Sequence, residues 1–276
     1  MDWTLISFLA APIAASLIIA GIHAYLGLHV VERGVIFVDL SLAQIASLGA
    51  AIAVWQGVDA HSPNIYWSSL AFTLIGAFIF AMIKGQEARI PQEAIIGISY
   101  AVASAAVILT MSKSTGEAEH LRDMLVGNIL SVQWPEVYLT AAIYAAIGAF
   151  HWIFRKKFLE ISQDHDGAVK RGVPVRFWDF LFYASFGIVV TRSVSIAGVL
   201  LVFCYLIVPS VGAMLWARKI GPRLAIGWIM GVLVSILGMY FSVQFDLPTG
   251  ATIVCTFGLV LILMALMRPL VTRRTA

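Results

Sequence analysis

The stretch "VERGVIFVDLSLAQIASLGAAIAV", residues 31–54, combines an apolar run with three polar side chains, Asp39, Ser41 and Gln44. An apolar run of about 20 residues is long enough to cross a ~30 Å hydrocarbon core as a helix. A carboxylate inside such a span is costly, so its default interpretation is functional. The stretch therefore predicts a transmembrane helix that carries a polar site near its beginning.

Apolar runs of similar length recur along the whole chain. Of the 276 residues, 61% are hydrophobic and 12% are charged, whereas soluble domains carry roughly 25% charged residues. Nine runs are predicted to be spans: 4–28, 35–55, 65–83, 93–112, 135–154, 177–191, 194–217, 224–243 and 249–267. Because helices satisfy their own backbone hydrogen bonds in lipid, the predicted fold class is an all-α polytopic membrane protein. Residues 1–276 are expected to form a single transmembrane domain in contact with membrane lipid.

The distribution of basic residues predicts the orientation of the spans. Fifteen of the 18 lysines and arginines fall in one set of alternate connections, and only Lys113, Arg122 and Arg192 fall in the other. Since connections rich in lysine and arginine stay in the cytoplasm, we expect the N-terminus outside and the C-terminus in the cytoplasm. This assignment requires 177–191 and 194–217 to be two spans separated by the short stretch "TRS", residues 191–193.

The sequence lacks the motifs of a soluble motor or a hydrolytic enzyme. It contains no Gly-x-x-x-x-Gly-Lys-Ser/Thr phosphate loop, no His-Glu-x-x-His and no Gly-x-Ser-x-Gly. Transport is therefore the predicted function class, without a nucleic-acid partner, and the chain is not expected to be an enzyme. A gradient-driven secondary transporter is the alternative, although its midplane carboxylates are poorly matched by Asp39, Glu93, Asp179 and Asp246, which fall near predicted span ends.

The longest predicted cytoplasmic connection, residues 155–176, contains a candidate docking helix. The segment "ISQDHDGAVKRGVPVR" offers Ser162 or Asp164 as the N-cap and ends at Gly172, with Pro174 beyond. A helix of two or three turns is marginal in water unless it docks onto something. This predicts a contact with a partner protein, and an ordinary solvated loop is the alternative.

Several stretches resemble the integral-membrane permeases of ABC importers for zinc, manganese and iron. In that family, the counterpart of residues 31–51 of this chain reads Arg, an aromatic residue, and then Gly-Asp-Ala-Leu-Ser-His-Ala. The stretches are "VERGVIFVDLSLAQIASLGAA" (31–51), "EAIIGISYAVASAAVIL" (93–109), "SQDHDGAVKRGV" (162–173), "SIAGVLLVFCYLIVPSVGAML" (195–215) and "DLPTGATIVCTFGLVLIL" (246–263). Their order and spacing together cover nearly the whole chain.

The resemblance implies a homodimeric permease in the bacterial inner membrane, with one permease domain per chain. Two cytoplasmic ATPase subunits would bind the ATP, an extracytoplasmic binding protein would deliver the divalent metal, and this chain would need no cofactor. The resemblance also implies that residues 162–173 form the coupling helix that meets the ATPase. Its candidate coupling residues are Ser162, Asp164, Ala168, Val169 and Gly172.

The opening stretch departs from the family pattern at one position. The family places a His four residues after the Asp, on the same helical face, whereas the fourth residue after Asp39 is Ala43. Counted back from Gly49, Gln44 takes the His position instead. Asp39 is expected to be a metal ligand in the pathway, or else a helix-entry residue that caps or pairs with Arg33.

The other candidate pathway residues also have two interpretations. Gln44 lines the pathway or forms an interhelical hydrogen bond, and Ser41 lies between it and Asp39. Glu93 is a gate, or it complements the N-terminus of its own helix. Outside, the connection 113–134 is expected to face the binding protein. Its acidic cluster, formed by Glu117, Glu119, His120 and Asp123, attracts cations or contacts that protein, and an ordinary solvated loop is the alternative.

Overall fold

α-Helices make up almost all of the chain that the structure describes. The computed structural model describes residues 3–59, 62–83, 91–112 and 129–272, with side chains over 8–268. Within these ranges there is no strand, and a short 3₁₀ turn, Ile129–Ser131, precedes the fifth helix. The helices are α1 (Trp3–Glu32), α2 (Val38–Trp55), α3 (Pro63–Ile83), α4 (Gln92–Met111), α5 (Trp134–Ile153), α6 (Arg155–Gln163), α7 (His165–Lys170), α8 (Val175–Ala197), α9 (Val199–Trp216), α10 (Ile220–Phe245) and α11 (Thr249–Thr272).

In the described ranges, nine helices are long and apolar enough to cross a membrane, namely all except α6 and α7. Each helix closes its backbone hydrogen bonds within itself, which is the condition for lying in hydrocarbon. The prediction of an all-α polytopic membrane protein with about nine spans is confirmed. Most predicted boundaries fall within a few residues of the observed ones, as at α2 and α4.

The boundary between the sixth and seventh spans was predicted at the wrong place. Residues 191–193 lie inside α8, which continues to Ala197, and the break falls at Gly198 with φ +76°. Thr, Arg and Ser keep their backbone N–H groups and can continue a helix, whereas glycine adopts positive φ without steric cost. With 23 residues, α8 is about 35 Å long at ~1.5 Å per residue, which is enough for a full span.

One compact unit comprises Met1–Val31, Leu125–Ala146 and Ile196–Ala276. Within it, small residues bring the helices close together. A Cβ added to Gly231 of α10 would lie 3.0 Å from Ala20 of α1, and one added to Gly238 would lie 2.7 Å from Ile253 of α11. Such small-residue contacts are typical of helix packing in membranes, where lipid supplies no hydrophobic drive between helices.

The other compact unit comprises Glu32–Met124 and Ile147–Ser195. Here α2 packs against α3 and α4, and α3 is joined to α8 by a 3.0 Å hydrogen bond between the hydroxyls of Thr73 and Thr191. The short helices α6 and α7 belong to the same unit. All candidate pathway and coupling residues lie in this unit.

The predicted outer docking connection lies largely outside the described residues. This holds for the whole acidic cluster of Glu117, Glu119, His120 and Asp123. The described part of the connection begins with the 3₁₀ turn at Ile129–Ser131.

Candidate functional site

Asp39 lies in the first turn of α2 and is almost completely buried. The chain leaves α1 through a short turn in which Gly34 adopts φ +67°, and α2 begins at Val38. The Asp39 side chain is 1% exposed, and its Oδ1 accepts a 2.7 Å hydrogen bond from the Leu40 N–H. A negative charge is favoured at a helix N-terminus, where free N–H groups point outward. Among the described residues, no cationic side chain forms an ion pair with this carboxylate.

Asp39 occupies a face of α2 that is turned away from both neighbouring helices. A Cβ added to Gly76 of α3 would lie against Leu42 and Ile45, so these two residues face α3. Leu48 and Ala51 pack with Val107 and Met111 of α4. At ~100° per residue, these contacts place Asp39 on a third face, together with the buried, small Ala43 and Ala46.

Ser41 and Gln44 lie on a different side of α2 from Asp39. Ser41 is fully buried and Gln44 is 8% exposed, and the Ser41 hydroxyl has no hydrogen-bond partner within the described ranges. Five residues along a helix correspond to a rotation of about 140° and a rise of ~7.5 Å, so Asp39 and Gln44 do not converge on one ion. Gln44 instead falls on the face that packs against α4.

Glu93 connects α4 to the start of α2. It lies in the first turn of α4, and its Oε1 accepts a 3.2 Å hydrogen bond from the backbone N–H of Phe37. Phe37 is the residue immediately before α2. Glu93 therefore fixes the entry into the helix that carries Asp39, a contact between helices that neither sequence interpretation contained.

The connection 155–176 forms two helices rather than one. Asp164, between α6 and α7, caps α7 by accepting a 3.0 Å hydrogen bond from the Gly167 N–H. Of the two predicted N-caps, Asp164 is therefore the one observed. Ser162 belongs to α6 and is 5% exposed. After Lys170 the chain turns at Gly172, with φ +76°, where the helix was predicted to end.

Arg171 reinforces the cap of α7. Its Nη1 lies 3.1 Å from Asp164 Oδ2, and its Nε donates a 2.8 Å hydrogen bond to Glu160 of α6. The hydrogen bond from Arg171, together with that from Gly167, holds the pKa of the Asp164 carboxyl below its ordinary value, and the two carboxylates raise the pKa of Arg171. These groups are exposed to solvent, so their effect is to orient α7 rather than to stabilise the fold strongly.

α7 has one face turned inward and one turned outward. Ala168 is fully buried in a cluster with Ile161 and Val175, whereas the neighbouring Val169 is 54% exposed. An exposed valine on a short polar helix presents apolar surface to whatever lies beyond it. Of the adjacent candidate coupling residues Ala168 and Val169, only Val169 has a side chain that a partner can reach.

A buried group of polar side chains, missed by the sequence analysis, joins α6 and α7 to α8. We call Arg33, Ser162, His165 and Asp179 the Arg33 cluster. Arg33 Nε donates a 2.8 Å hydrogen bond to Ser162 Oγ, and its Nη1 lies 2.5 Å from Asp179 Oδ1. The guanidinium also lies over the Phe182 ring, 4.0 Å from its centroid.

His165 completes the Arg33 cluster, because its Nε2 lies 3.5 Å from Asp179 Oδ2. The sequence contained one signal for this pair. Charges within spans are usually paired, and both Arg33 and Asp179 lie near predicted span ends. Arg33 was weighed only as a partner for Asp39. The structure pairs it with Asp179 instead.

The described residues contain no group of three or more His, Cys, Asp or Glu side chains placed to hold a metal ion. Asp39 on its own offers hard oxygen donors, which suit divalent cations such as manganese. A single carboxylate is better suited to bind a cation transiently as it passes than to hold a cation permanently.

Comparison with known proteins extends the match along almost the entire chain. The profile of the ABC 3 transport family matches residues 6–268. The manganese transport system membrane protein MntC of Listeria monocytogenes is 24% identical over 265 residues, covering 95% of this chain and 91% of that protein. The chelated iron transport system membrane protein YfeD of Yersinia pestis is 24% identical over 254 residues, covering 90% and 81% respectively.

A solved structure shares the fold as well. The chain superposes on a chain of PsaBC from Streptococcus pneumoniae in complex with Fab with a TM-score of 0.78 and 25% sequence identity, covering 93% of this chain and 90% of that one. The helical fold is therefore shared with this structure over most of both chains.

Proposed function

The chain belongs to the ABC 3 transport family, and from this premise we propose that it is the permease subunit of an ATP-driven importer for a divalent transition metal. The observation that carries the proposal is the family match over residues 6–268, supported by relatives named for manganese and iron transport. As a transport permease it is not an enzyme, and ATP is bound and hydrolysed by a separate subunit. Zinc, manganese and iron are the candidate cargoes.

The assembly that we propose has two copies of this chain in the bacterial inner membrane. The excess of basic residues in alternate connections supports an orientation with the N-terminus outside and the C-terminus in the cytoplasm. In this orientation α6 and α7 face the cytoplasm and the ATPase subunits, while the connection 113–134 faces a metal-binding protein outside. The nine spans act together as one permease domain.

The proposed route for the metal passes the beginning of α2. Asp39 supplies a carboxylate there, and the Ser41 hydroxyl and Gln44 amide lie further along the helix on another face. Because Asp39 and Gln44 are separated by about 140° and ~7.5 Å, the metal meets them in succession rather than together. Glu93 holds the entry to α2 through the Phe37 N–H.

A gradient-driven secondary transporter is the less favoured function. Such a transporter places its ion-binding groups near the middle of the membrane. Asp39 and Glu93 instead lie in the first turns of α2 and α4, and Asp179 lies close to the start of α8.

Metal accumulation tests the proposed function directly. A strain that lacks this gene is compared with the complemented strain for cell-associated zinc, manganese and iron, measured in parallel. Inverted membrane vesicles cannot present the outer face to a binding protein, so uptake is also measured in proteoliposomes that contain the permease, its ATPase and the binding protein. Equal accumulation of all three metals in both strains, together with no ATP-dependent uptake, would contradict the proposal.

Cross-linking is expected to place α7 against the ATPase. In a chain with Cys204 and Cys255 replaced by Ser, Val169→Cys should form a cross-link with a cysteine on the co-expressed ATPase, because Val169 is exposed at 54%. Ala168→Cys should react far less, because its side chain is fully buried. The products are measured by gel shift and mass spectrometry.

Leu247→Cys provides the control for this experiment. Leu247 is 48% exposed and lies in the connection between α10 and α11, on the opposite side in the proposed orientation. It should be labelled by reagents added from outside and should not cross-link to the ATPase. Labelling of Val169→Cys from outside would reverse the topology and refute the coupling contact.

Replacing Gln44 by His is expected to change metal preference. An imidazole is a softer ligand than an amide oxygen, so uptake of zinc should rise relative to manganese. Competition between the two metals in proteoliposomes measures the ratio, and Gln44→Leu serves as a control that removes the amide without adding a ligand. A ratio equal to that of the wild type in Gln44→His would mean that Gln44 serves packing against α4.

A further inference from the structure

We propose that Arg33 is a positioning residue that links the coupling helices α6 and α7 to the start of α2, so that displacement of α7 by the ATPase moves Asp39. This inference rests on the proposed function, because it needs an ATPase beneath α7 and a metal route past Asp39. It assigns a role in transport to the Arg33 cluster, whose members touch neither the metal nor ATP.

Arg33 joins two separate helices, α6 and α8, through one rigid group. Its guanidinium donates to Ser162 of α6 at 2.8 Å and to Asp179 of α8 at 2.5 Å, while its own backbone continues directly from α1 into the turn before α2. The side chain is 0% exposed. A planar guanidinium presents its donors in a fixed fork, so several partners are held in one geometry. The burial removes competing water from these bonds.

The partners of Arg33 lie in helices that are themselves held in place, because α6 packs against α5 and α8 and α7 lies against α8. Phe158 of α6 is fully buried, stacks on His151 of α5 at 4.3 Å and meets Trp178 of α8 at 5.6 Å. On α7, His165 Nε2 lies 3.5 Å from Asp179 Oδ2. Closely packed side chains transmit displacement because they do not compress, so α6, α7 and the start of α8 move as one piece.

On the other side of Arg33, the path to Asp39 is short and held at both ends. Arg33 is six residues before Asp39. Between them the Val38 N–H donates to the Val35 carbonyl at 3.1 Å, which closes the turn. Glu93 Oε1 accepts from the Phe37 N–H at 3.2 Å and ties the same turn to α4. A push on Arg33 therefore reaches the first turn of α2 through a closed turn and not through a loose linker.

Stability alone does not account for this arrangement. A buried ion pair is a weak stabiliser compared with apolar side chains of the same volume, since both charges must be desolvated. Arg33 and Asp179 are 146 residues apart, and the pair joins the segment that meets the ATPase to the segment that carries the candidate ligand. Coupling between the ATPase contact on α7 and Asp39 requires a contiguous set of packed side chains and hydrogen bonds whose arrangement changes when either site changes.

The test measures Mn²⁺ uptake and ATP hydrolysis together in proteoliposomes that contain the whole complex. In Asp179→Asn and Arg33→Lys we expect ATP hydrolysis to persist while the number of Mn²⁺ ions imported per ATP falls about tenfold, within the usual range of coupling between sites. Ser162→Ala removes one bond to α6 and leaves the ion pair, so a smaller decrease is expected. Lys157→Gln is the control. This exposed lysine of α6 forms only a surface ion pair with Glu160 at 3.6 Å, and its replacement should leave the ratio unchanged.

Each outcome separates the possibilities. An unchanged ratio of Mn²⁺ to ATP in all three variants overturns the inference, and so does a proportional loss of uptake, hydrolysis and assembled complex, which would indicate a purely structural ion pair. If Asp179→Asn and Arg33→Lys fail to assemble, the ratio in Ser162→Ala decides. If the wild-type complex itself shows no ATP-dependent Mn²⁺ uptake, the proposed function fails, independently of the Arg33 cluster.

Discussion

Replacing Asp39 by Asn is expected to abolish metal uptake while leaving the protein folded and assembled with its ATPase. Asparagine keeps the size and hydrogen-bonding capacity of the side chain and removes only the negative charge. A divalent cation in a low-dielectric span depends on that charge, because neutral amides compensate little of the lost hydration. Uptake of Mn²⁺ in proteoliposomes should fall to background, whereas copurification of the ATPase should not change.

The surroundings of Asp39 compensate little of the charge on its carboxylate. Its carboxylate is 1% exposed, receives a backbone N–H from Leu40 and has no ion-pair partner among the described side chains. Loss of its interaction with the N-terminus of α2 costs about 0.3–1 kcal/mol at most sites, and removal of a buried charge offsets this cost. Thermal unfolding of Asp39→Asn is therefore expected at the wild-type temperature or above, with uptake lost.

A second carboxylate supplies the matched control. Asp246, exposed at the end of α10, adopts φ +52°, a conformation that asparagine tolerates as well as aspartate. Asp246→Asn should transport normally. If Asp39→Asn also transports normally, then the Asp39 carboxylate is a helix-entry residue and the metal follows another route.

The membrane architecture was predictable because it depends on local composition. An apolar run of sufficient length can only lie in lipid as a helix, so α2 and α4 were placed within a few residues of their observed bounds. The boundary predicted at 191–193 was wrong because polar residues were taken to interrupt a helix. The actual interruption is Gly198, whose positive φ is a backbone property that hydrophobicity does not reveal.

The site was predictable only in the parts that one helix determines. Helical periodicity alone separates Asp39 from Gln44 by about 140°, and the local pattern offered Asp164 as one of two possible caps. The pairing of Arg33 with Asp179 depends on how a turn and a helix 146 residues apart in sequence meet in space. Likewise, the difference between the buried Ala168 and the exposed Val169 depends on Ile161 and Val175, which cover one side of α7.

Replacing Gly27 by Ala is expected to be among the most destabilising single substitutions in the chain. A Cβ at this position of α1 would overlap the backbone carbonyl oxygen of Leu206 and the hydroxyl of Ser210, and would lie 2.9 Å from the Leu206 carbonyl carbon. The Ser210 side chain can rotate, but the carbonyl belongs to the backbone of α9 and cannot move without displacing the helix. Overpacking typically costs 1–3 kcal/mol, and we expect a loss of about 3 kcal/mol here, measured as a lower unfolding temperature in detergent and a lower yield of inserted protein.

Gly21→Ala is the control that isolates the close approach from the effect of changing a glycine in α1. No atom lies within 4 Å of a Cβ built on Gly21, and its carbonyl remains free to accept the 2.9 Å hydrogen bond from Trp228 Nε1. Alanine also has the higher helix propensity, by about 1 kcal/mol, so Gly21→Ala should be neutral or slightly stabilising. Small residues allow helices in a membrane to pack backbone against backbone. Gly27→Ala should therefore lower the unfolding temperature, whereas Gly21→Ala should leave it unchanged or raise it. Equal unfolding temperatures for both would show that α1 and α9 do not meet at Gly27.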